Sequence, residues 1–383
     1  MNTLFLRSGA KNLLLPLFCL LLSWSVTAQK GQALTEAGAI KIVSIVDSLE
    51  HPWGMAFLPD GRMLVTERPG RLRIVGADST LSEPVEGTPE VYNVDQGGLL
   101  DVALDPDFAE NGYIYLSFAH MGEDSLASTA FGRGQWADDR IEDFETLFVQ
   151  EYKLKGGKHF GGRIEFTGED MLYFTMGERY QFDPAQDLTN HLGTIVRLHR
   201  DGTVPDDNPF AEASDSKPEI YSYGHRNIQA AAVDPATGTL WVTEMGPMGG
   251  DELNKVEAGE NYGWPVVSWG DNYDNTKIPD PTTRPEFTDA AIQWSPTISP
   301  SGMVFYTGDA FEAFQGNALI GGLTAGGIIR VAVNGDSAED LERITIGARV
   351  REVAQAPDGT LYVLTDAENG QLFHLRPFTE NGK

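Results

Sequence analysis

Apolar and polar positions alternate along most of the chain in short runs that break at glycine, proline and aspartate. From Gly54 to Thr66 an apolar run meets Pro59-Asp60-Gly61 and is followed by a second apolar run. That order predicts a strand, a tight turn and a second strand. The same grammar returns at Leu99–Ser117, Gly162–Gly177, Gln229–Glu244, Ser301–Gly308 and Val350–Asp366. The last copy, Ala356-Pro-Asp-Gly-Thr-Leu-Tyr-Val-Leu-Thr365, closely repeats Leu58-Pro-Asp-Gly-Arg-Met-Leu-Val-Thr66 of the first. Both strands of each pair carry a period of two, the mark of half-buried antiparallel strands. Turns near residues 60, 106, 169, 236, 308 and 358 leave room in each unit for a four-stranded sheet and one loop. Repeated sheets without helical crossovers predict an all-β fold, a six-bladed β-propeller of four-stranded antiparallel blades whose circular closure protects the strand edges. Ile40–Val46 is expected to close the ring against the last C-terminal strands. A β-sandwich of similar hairpins is the alternative. No linker or composition break divides residues 29–383, which are read as a single domain.

Composition sets the partners. Lys and Arg total 28 against 56 Asp and Glu, a net charge of −28. Nucleic acid and anionic membranes repel such a chain at long range. With 41% hydrophobic residues a large core is still available, which excludes global disorder. Residues 1–28 carry only Arg7 and Lys11 as charges, then an apolar run from Leu13 to Trp24, then the small-residue site Val26-Thr27-Ala28. This is the order of a secretory signal peptide, and its apolar run is short for a membrane span. Phe18 before Cys19 is too bulky for a lipoprotein signal. The expected location is periplasmic or secreted, without membrane insertion. Cys19 is the only cysteine, so beyond residue 28 disulfides, thiolate metal sites and cysteine nucleophiles are excluded.

Three loops carry candidate chemistry. Lys158-His159-Phe160-Gly161-Gly162-Arg163 sets one histidine among glycines before a predicted strand, where backbone can approach a ligand closely. Its imidazole suits general-base work, the alternative being a surface histidine. The other six, at 51, 120, 191, 199, 225 and 374, have no comparable setting. Tyr223-Gly224-His225-Arg226-Asn227 pairs two donors that suit a carbonyl or carboxylate. Arg349 and Arg351, two apart before the sixth hairpin, face one side of a strand and suit an anionic ligand, unless surface carboxylates pair with them. They read as residues of the mouth, not of the blade core. Thr243–Glu252, continuing to Asn261–Pro265, combines carboxylates with turns that expose carbonyl oxygens, a donor set for a hard cation such as Ca²⁺. Zinc spacing, an EF-hand, a P-loop and a dinucleotide fingerprint are all missing, so a nicotinamide enzyme is not expected.

Together these stretches resemble the soluble quinoprotein glucose/sorbosone dehydrogenase family, in particular its aldose sugar dehydrogenase branch. The matching segments are His51–Gly61, Gln96–Phe108, His159–Arg163, Gly193–Leu198 with Pro205–Phe210, Tyr223–Asn227, Gly246–Pro265 and Arg349–Asp366. They follow one another over nearly all of residues 29–383. The resemblance implies a six-bladed propeller that holds pyrroloquinoline quinone (PQQ) with Ca²⁺ and oxidises aldose sugars or related alcohols. It implies a periplasmic electron acceptor that the sequence does not identify. His159 matches the catalytic base and Glu178 the carboxylate that orients it. Gln96, Arg226, Asn227, Thr324, Arg349 and Arg351 match positions that bind the quinone, with Arg226 also polarising its oxygen. Gly246 and Pro247 match the carbonyl ligands of a catalytic Ca²⁺, and Glu252 and Tyr262 match part of a structural Ca²⁺ site.

Two residues depart from the family pattern. Thr324 stands where characterised members carry a lysine, and it supplies a hydrogen bond but no charge. Lys158 stands where an acid precedes the catalytic histidine, either restoring that charge or altering substrate contacts. Two other readings stay open: a Ca²⁺-dependent hydrolase or lactonase using Glu178 or Glu244, and a non-enzymatic binding propeller.

Overall fold

The computed structural model describes residue 1 and residues 31–36, 38–168 and 170–378. The expected signal segment lies outside the described residues, as does Glu169 of the third predicted turn. Six antiparallel sheets follow one another along the chain. Blade 1 holds Pro52–Phe57, Met63–Glu67 and Arg71–Val75. Blade 2 holds Leu99–Leu104, Tyr113–Met121, Ala127–Ala137 and Arg140–Val149. Blade 3 is built from Gly161–Thr167, Met171–Met176, Thr194–His199 and Ile220–Tyr223. Ile228–Val233, Leu240–Glu244, Asp251–Lys255 and Ile292–Trp294 make blade 4. Pro300–Phe305, Asn317–Gly322, Gly327–Asn334 and Ser337–Thr345 make blade 5. Blade 6 combines Val350–Gln355, Leu361–Thr365 and Gly370–Pro377 with Gly38–Leu49 and Gln32–Thr35 from the other end of the chain. The first strand of each blade packs on that of the next, and the sixth returns to the first. The fold is the expected six-bladed propeller.

Two details differ from the sequence reading. Blade 1 has three regular strands and blade 6 has five. In blade 1 the chain after Val75 still runs along the sheet edge: Ser82 N–H donates to Ile74 O at 2.9 Å and Val85 N–H to Leu72 O at 2.8 Å. Pro84 between them has no N–H to continue a ladder, so the fourth strand is interrupted. The second strand of each hairpin is also more buried than a half-buried strand should be. Met63–Glu67 and Leu240–Glu244 are covered at every position, because each blade lies between two neighbours and hides both faces. Closure falls where expected, with Ile42 opposite Leu375 and Val43 opposite His374.

Inner strands leave a polar axis. Arg163 of blade 3 fills it: Nη1 bonds Glu352 of blade 6 and lies 3.3 Å from Asp101 of blade 2. Nε donates to Gln229 O of blade 4 at 2.8 Å, and the guanidinium lies 4.0 Å from the Trp53 ring of blade 1. Burial pushes the Asp101 carboxyl above its usual range and that of Glu352 up to about 7, against the pull of Arg163. Arg163→Met would leave two buried carboxylates without their cation, at a cost of about 3–5 kcal/mol at neutral pH. Carboxyl groups with raised folded pKa values stabilise the fold when protonated and lose that contribution as pH rises. The deficit of the variant should therefore shrink as pH falls. Urea unfolding at pH 5 and pH 8 reads both effects, and equal stability of variant and wild type at pH 8 would refute the assigned role.

Candidate active site

The chain enters blade 3 through the His159 loop, which the protein holds from three sides. Arg179 donates to Lys158 O at 2.9 Å and to Gly156 O and Ala127 O, each at 2.6 Å. Gln96 Oε1 accepts the His159 backbone N–H at 2.8 Å. Beneath the loop, any Cβ at Gly177 would lie 2.1 Å from His159 O, so only glycine permits this approach. His159 itself takes φ 53°, a left-handed conformation uncommon outside glycine. These constraints set its ring Nδ1 2.5 Å from Glu178 Oε1. Glu178 is fully buried, and its Oε2 accepts the backbone N–H groups of Gln181 and, at 2.9 Å, Phe182. With Nδ1 engaged, Nε2 is the nitrogen left for chemistry. Burial lowers the His159 pKa, and the nearby cations Arg226 and Lys158 add to this against the opposing carboxylate of Glu178. The ring is therefore a neutral base at pH 7.

Beside this loop lies a cavity of about 340 Å³, and Gln96, Asn227, Arg349 and Arg351 line it as the sequence reading expects. Arg349 and Arg351 do converge. Both reach Asp366 Oδ2, at 3.2 and 3.0 Å, so a carboxylate partner and a ligand cavity coexist. Burial raises the Asp366 pKa, but the two guanidinium groups outweigh it and leave the carboxyl well below its usual range. Arg351 is 8% exposed and also bonds Gln229 Oε1 at 3.0 Å. It thus ties blade 6 to blade 4, contrary to the expectation of a mouth residue without structural weight. Arg68 lines the same wall and donates to Asp95 O. The Nε atoms of Arg68 and Arg351 are buried without a partner. Unsatisfied buried cationic donors around a cavity call for an anion.

Arg226 is buried in the adjoining crevice rather than in this cavity. Its Nη1 donates to Met245 O at 2.7 Å and Gly246 O at 2.9 Å, while its backbone N–H bonds Glu244 Oε2 at 2.6 Å. At Gly246 a Cβ would lie 2.2 Å from Gly249 O and 2.3 Å from Gly250 O, so a tight turn gathers carbonyl oxygens there. The Gly246 oxygen expected to bind Ca²⁺ already accepts a bond from a cation. Glu252 lines the same crevice. Burial and the charge of Glu244 hold its carboxyl far above the usual range, and Asn254, which bonds both carboxylates, has an Oδ1 without a partner. Tyr262 lines the crevice too, but its hydroxyl donates to Lys255 O at 2.5 Å, so only its main-chain carbonyl could serve a metal.

Three other positions fall at the margins. Thr324 is exposed and spends its hydroxyl on Thr297 O at 3.1 Å and Ser299 Oγ at 3.0 Å; its neighbours Leu323 and Ser299 line the cavity. Pro247 is buried in the turn and lines neither cavity nor crevice. Lys158 lies over the Tyr180 ring, 4.9 Å from its centroid, and does not join the cavity arginines. Sequence reasoning missed Arg68 and Asp366. The repeat contains the signal: aligning Asp60-Gly61 with Asp358-Gly359 puts Arg68 and Asp366 at the same place, just beyond the second strand. A titration of the His159 ring by NMR should give a pKa below the ordinary 6.5. In Glu178→Gln the value should fall further, because the carboxylate is what holds it up. An unchanged or higher value would contradict the pairing.

The family model described as Glucose / Sorbosone dehydrogenase matches residues 49–374. The chain is 44% identical to Aldose sugar dehydrogenase YliI of Escherichia coli (strain K12), over 95% of this chain and 98% of that protein. A solved structure of the soluble aldose sugar dehydrogenase from Escherichia coli in the apo-form superposes with a TM-score of 0.85 at 42% identity, covering 88% of this chain and 100% of that one. The PQQ-bound form of aldose sugar dehydrogenase from Streptomyces coelicolor gives a TM-score of 0.72 at 28% identity, covering 88% and 97%. On the extent of these matches and the propeller that carries them, the chain belongs to the glucose/sorbosone dehydrogenase family of oxidoreductases.

Proposed function

We propose that this protein oxidises aldose sugars or related alcohols with PQQ as its redox cofactor and Ca²⁺ as its metal. The observation that carries the reading is the pair of buried, partnerless Nε groups of Arg68 and Arg351 in a cavity that shares Gln96 with the His159 loop. A tricarboxylate quinone fits such a cavity. Arg68, Arg349 and Arg351 would hold its carboxylates, with Gln96 and Asn227 beside them. Bound PQQ supplies a two-electron acceptor. His159 Nε2 takes the substrate hydroxyl proton, while Glu178 fixes the tautomer and stabilises the imidazolium that forms. Arg226 faces the oxygen-rich turn and favours developing negative charge. For Ca²⁺, the site at Glu252 fits: its partnerless Asn254 Oδ1 and raised carboxyl both favour a hard cation, with the Tyr262 carbonyl in reach of the same crevice. At Gly246 and Pro247 the carbonyl chemistry also suits Ca²⁺, but an ion there would have to share the Gly246 oxygen with Arg226.

A hydrolytic reading has less support. Glu178 is fully buried and committed to His159 and two backbone N–H groups, and Glu244 is committed to His225, Arg226 and Asn254. Neither is free to activate a water. The Leu13–Trp24 segment, with the charges before it and the small residues after it, supports work outside the cytoplasm, with an electron acceptor there. Among the described residues no helix is long and apolar enough to cross a membrane.

Adding PQQ and Ca²⁺ to purified protein should switch on dye reduction by aldoses; no reduction with a broad sugar panel would refute the proposal. Arg349→Ala and Arg351→Ala should each weaken PQQ binding about 10- to 100-fold, the loss of one charge-assisted hydrogen bond of about 1.5–3 kcal/mol. Arg351→Ala should also lower the melting temperature more than Arg349→Ala, since it alone bonds Gln229. Calorimetric titration checks the affinities, and equal PQQ affinity in all three proteins would remove the arginines from the cofactor site.

A further inference from the structure

We propose that the catalytic loop carries a subsite for the anionic end of its sugar, formed by the Lys158 ammonium over the Tyr180 ring, and that the preferred substrates are aldoses bearing a carboxylate, the uronic acids. The inference rests on the dehydrogenase reading above and adds its substrate class.

Basic groups in this chain mostly have partners. Lys217, Lys255 and Lys277 each pair with a carboxylate. Lys153, Lys155 and Lys158, crowded into one exposed stretch before the catalytic histidine, make no ion pair among the described residues. In a chain of net charge −28, an unpaired basic stretch at the active site needs a reason. Cofactor binding is not that reason, since Lys158 lies outside the arginine-lined cavity.

The turn that follows Glu178 builds the rest of the subsite. Arg179, Tyr180 and Phe182 take φ values of 56°, 62° and 65°, and Glu178 Oε2 accepts the Gln181 and Phe182 N–H groups. The carboxylate that orients the His159 ring therefore also fixes where Tyr180 stands. Tyr180 remains 37% exposed, with its ring edge-on to His159 at 5.3 Å between centroids. On its other side come Phe182 at 5.2 Å and then Trp264 at 5.6 Å. The imidazole and the Lys158 ammonium thus flank one ring, at 5.3 and 4.9 Å from its centre, which brings both within reach of a single hexuronate. The ammonium rests on the Tyr180 ring through a cation–π contact and keeps N–H donors for a charge-assisted bond to a carboxylate. A hexuronate with its C1 hydroxyl at His159 would direct its C6 carboxylate toward Lys158. Oxidation then removes two electrons and two hydrogens, one from C1 and one from its hydroxyl. The hydroxyl proton goes to His159, the hydride equivalent goes to the quinone and on to the dye, and the product is the monolactone of the corresponding diacid.

The test compares glucuronate with glucose on the protein reconstituted with PQQ and Ca²⁺ at low salt. The expected kcat/KM ratio favours glucuronate about tenfold, in keeping with one exposed charge-assisted bond. Lys158→Ala should remove that preference, Lys158→Glu should reverse it, and Lys158→Arg should keep it. Saturation-transfer NMR on the same proteins reads the binding preference without turnover. Dye reduction by neutral sugars with no glucuronate preference, or a preference that survives Lys158→Glu, overturns the subsite. Silence with every sugar instead overturns the dehydrogenase reading, and the NMR comparison then decides the subsite by itself.

Discussion

A ring of six sheets leaves a polar axis where the inner strands meet, and Arg163 is the group that makes this axis tenable. Its contacts reach Trp53, Asp101, Gln229 and Glu352, so with its own blade it touches five of the six. Two buried carboxylates without it would be expensive, and with it they become a tie between distant blades. The tie continues upward. Gln229 gives its backbone carbonyl to Arg163 and its side-chain oxygen to Arg351, which in turn holds Asp366. The wall of the cavity is thus braced against the axis, and the Arg351 guanidinium is held in one orientation by protein groups alone.

The fold also builds one polar pair twice and uses it differently. His159 with Glu178, and His225 with Glu244, are each separated by 19 positions, and both carboxylates lie just past or at the end of a blade's second strand. In the second pair Nε2 is taken by Ser222 at 3.0 Å and the ring is stacked on Tyr262. No nitrogen is left for chemistry. In the first pair Nδ1 is taken by Glu178, and no hydrogen bond to Nε2 is made among the described residues. The same residue types thus leave one imidazole nitrogen free in one blade and none in the next, because their neighbours differ.

This is also why some of the molecule could be read from the chain and some could not. The six hairpins were visible because Asp60-Gly61 and Asp358-Gly359 punctuate period-two strands, and local rules suffice for that. The count of strands per blade was not, since it turns on Pro84 at one edge and on Gln32–Thr35 pairing outside the closing strand at another. His159, Glu178, Gln96, Arg349 and Arg351 were recoverable from motif resemblance. Asp366 and Arg68 were not singled out, although the hairpin register sets Asp366 N–H on Arg349 O at 2.8 Å. The placement of Lys158 on Tyr180 was beyond any such reading. It depends on three positive φ angles, at Arg179, Tyr180 and Phe182, in a turn with no glycine to announce them.

The way the ring is sealed has a bearing on how the molecule comes into being. Gly38–Leu49 pairs with Gln32–Thr35 along one edge, but its other edge finds its partner only at Gly370–Pro377, after the five other blades. During synthesis that other edge is unpaired, and blades 1 to 5 can assemble only as an open arc. The final circle requires the longest loop closure the chain offers, and contacts of this kind slow folding. A ribosome-bound or truncated chain would present two raw sheet edges at once, and such a species has every reason to seek a chaperone or a second copy of itself before it can seal.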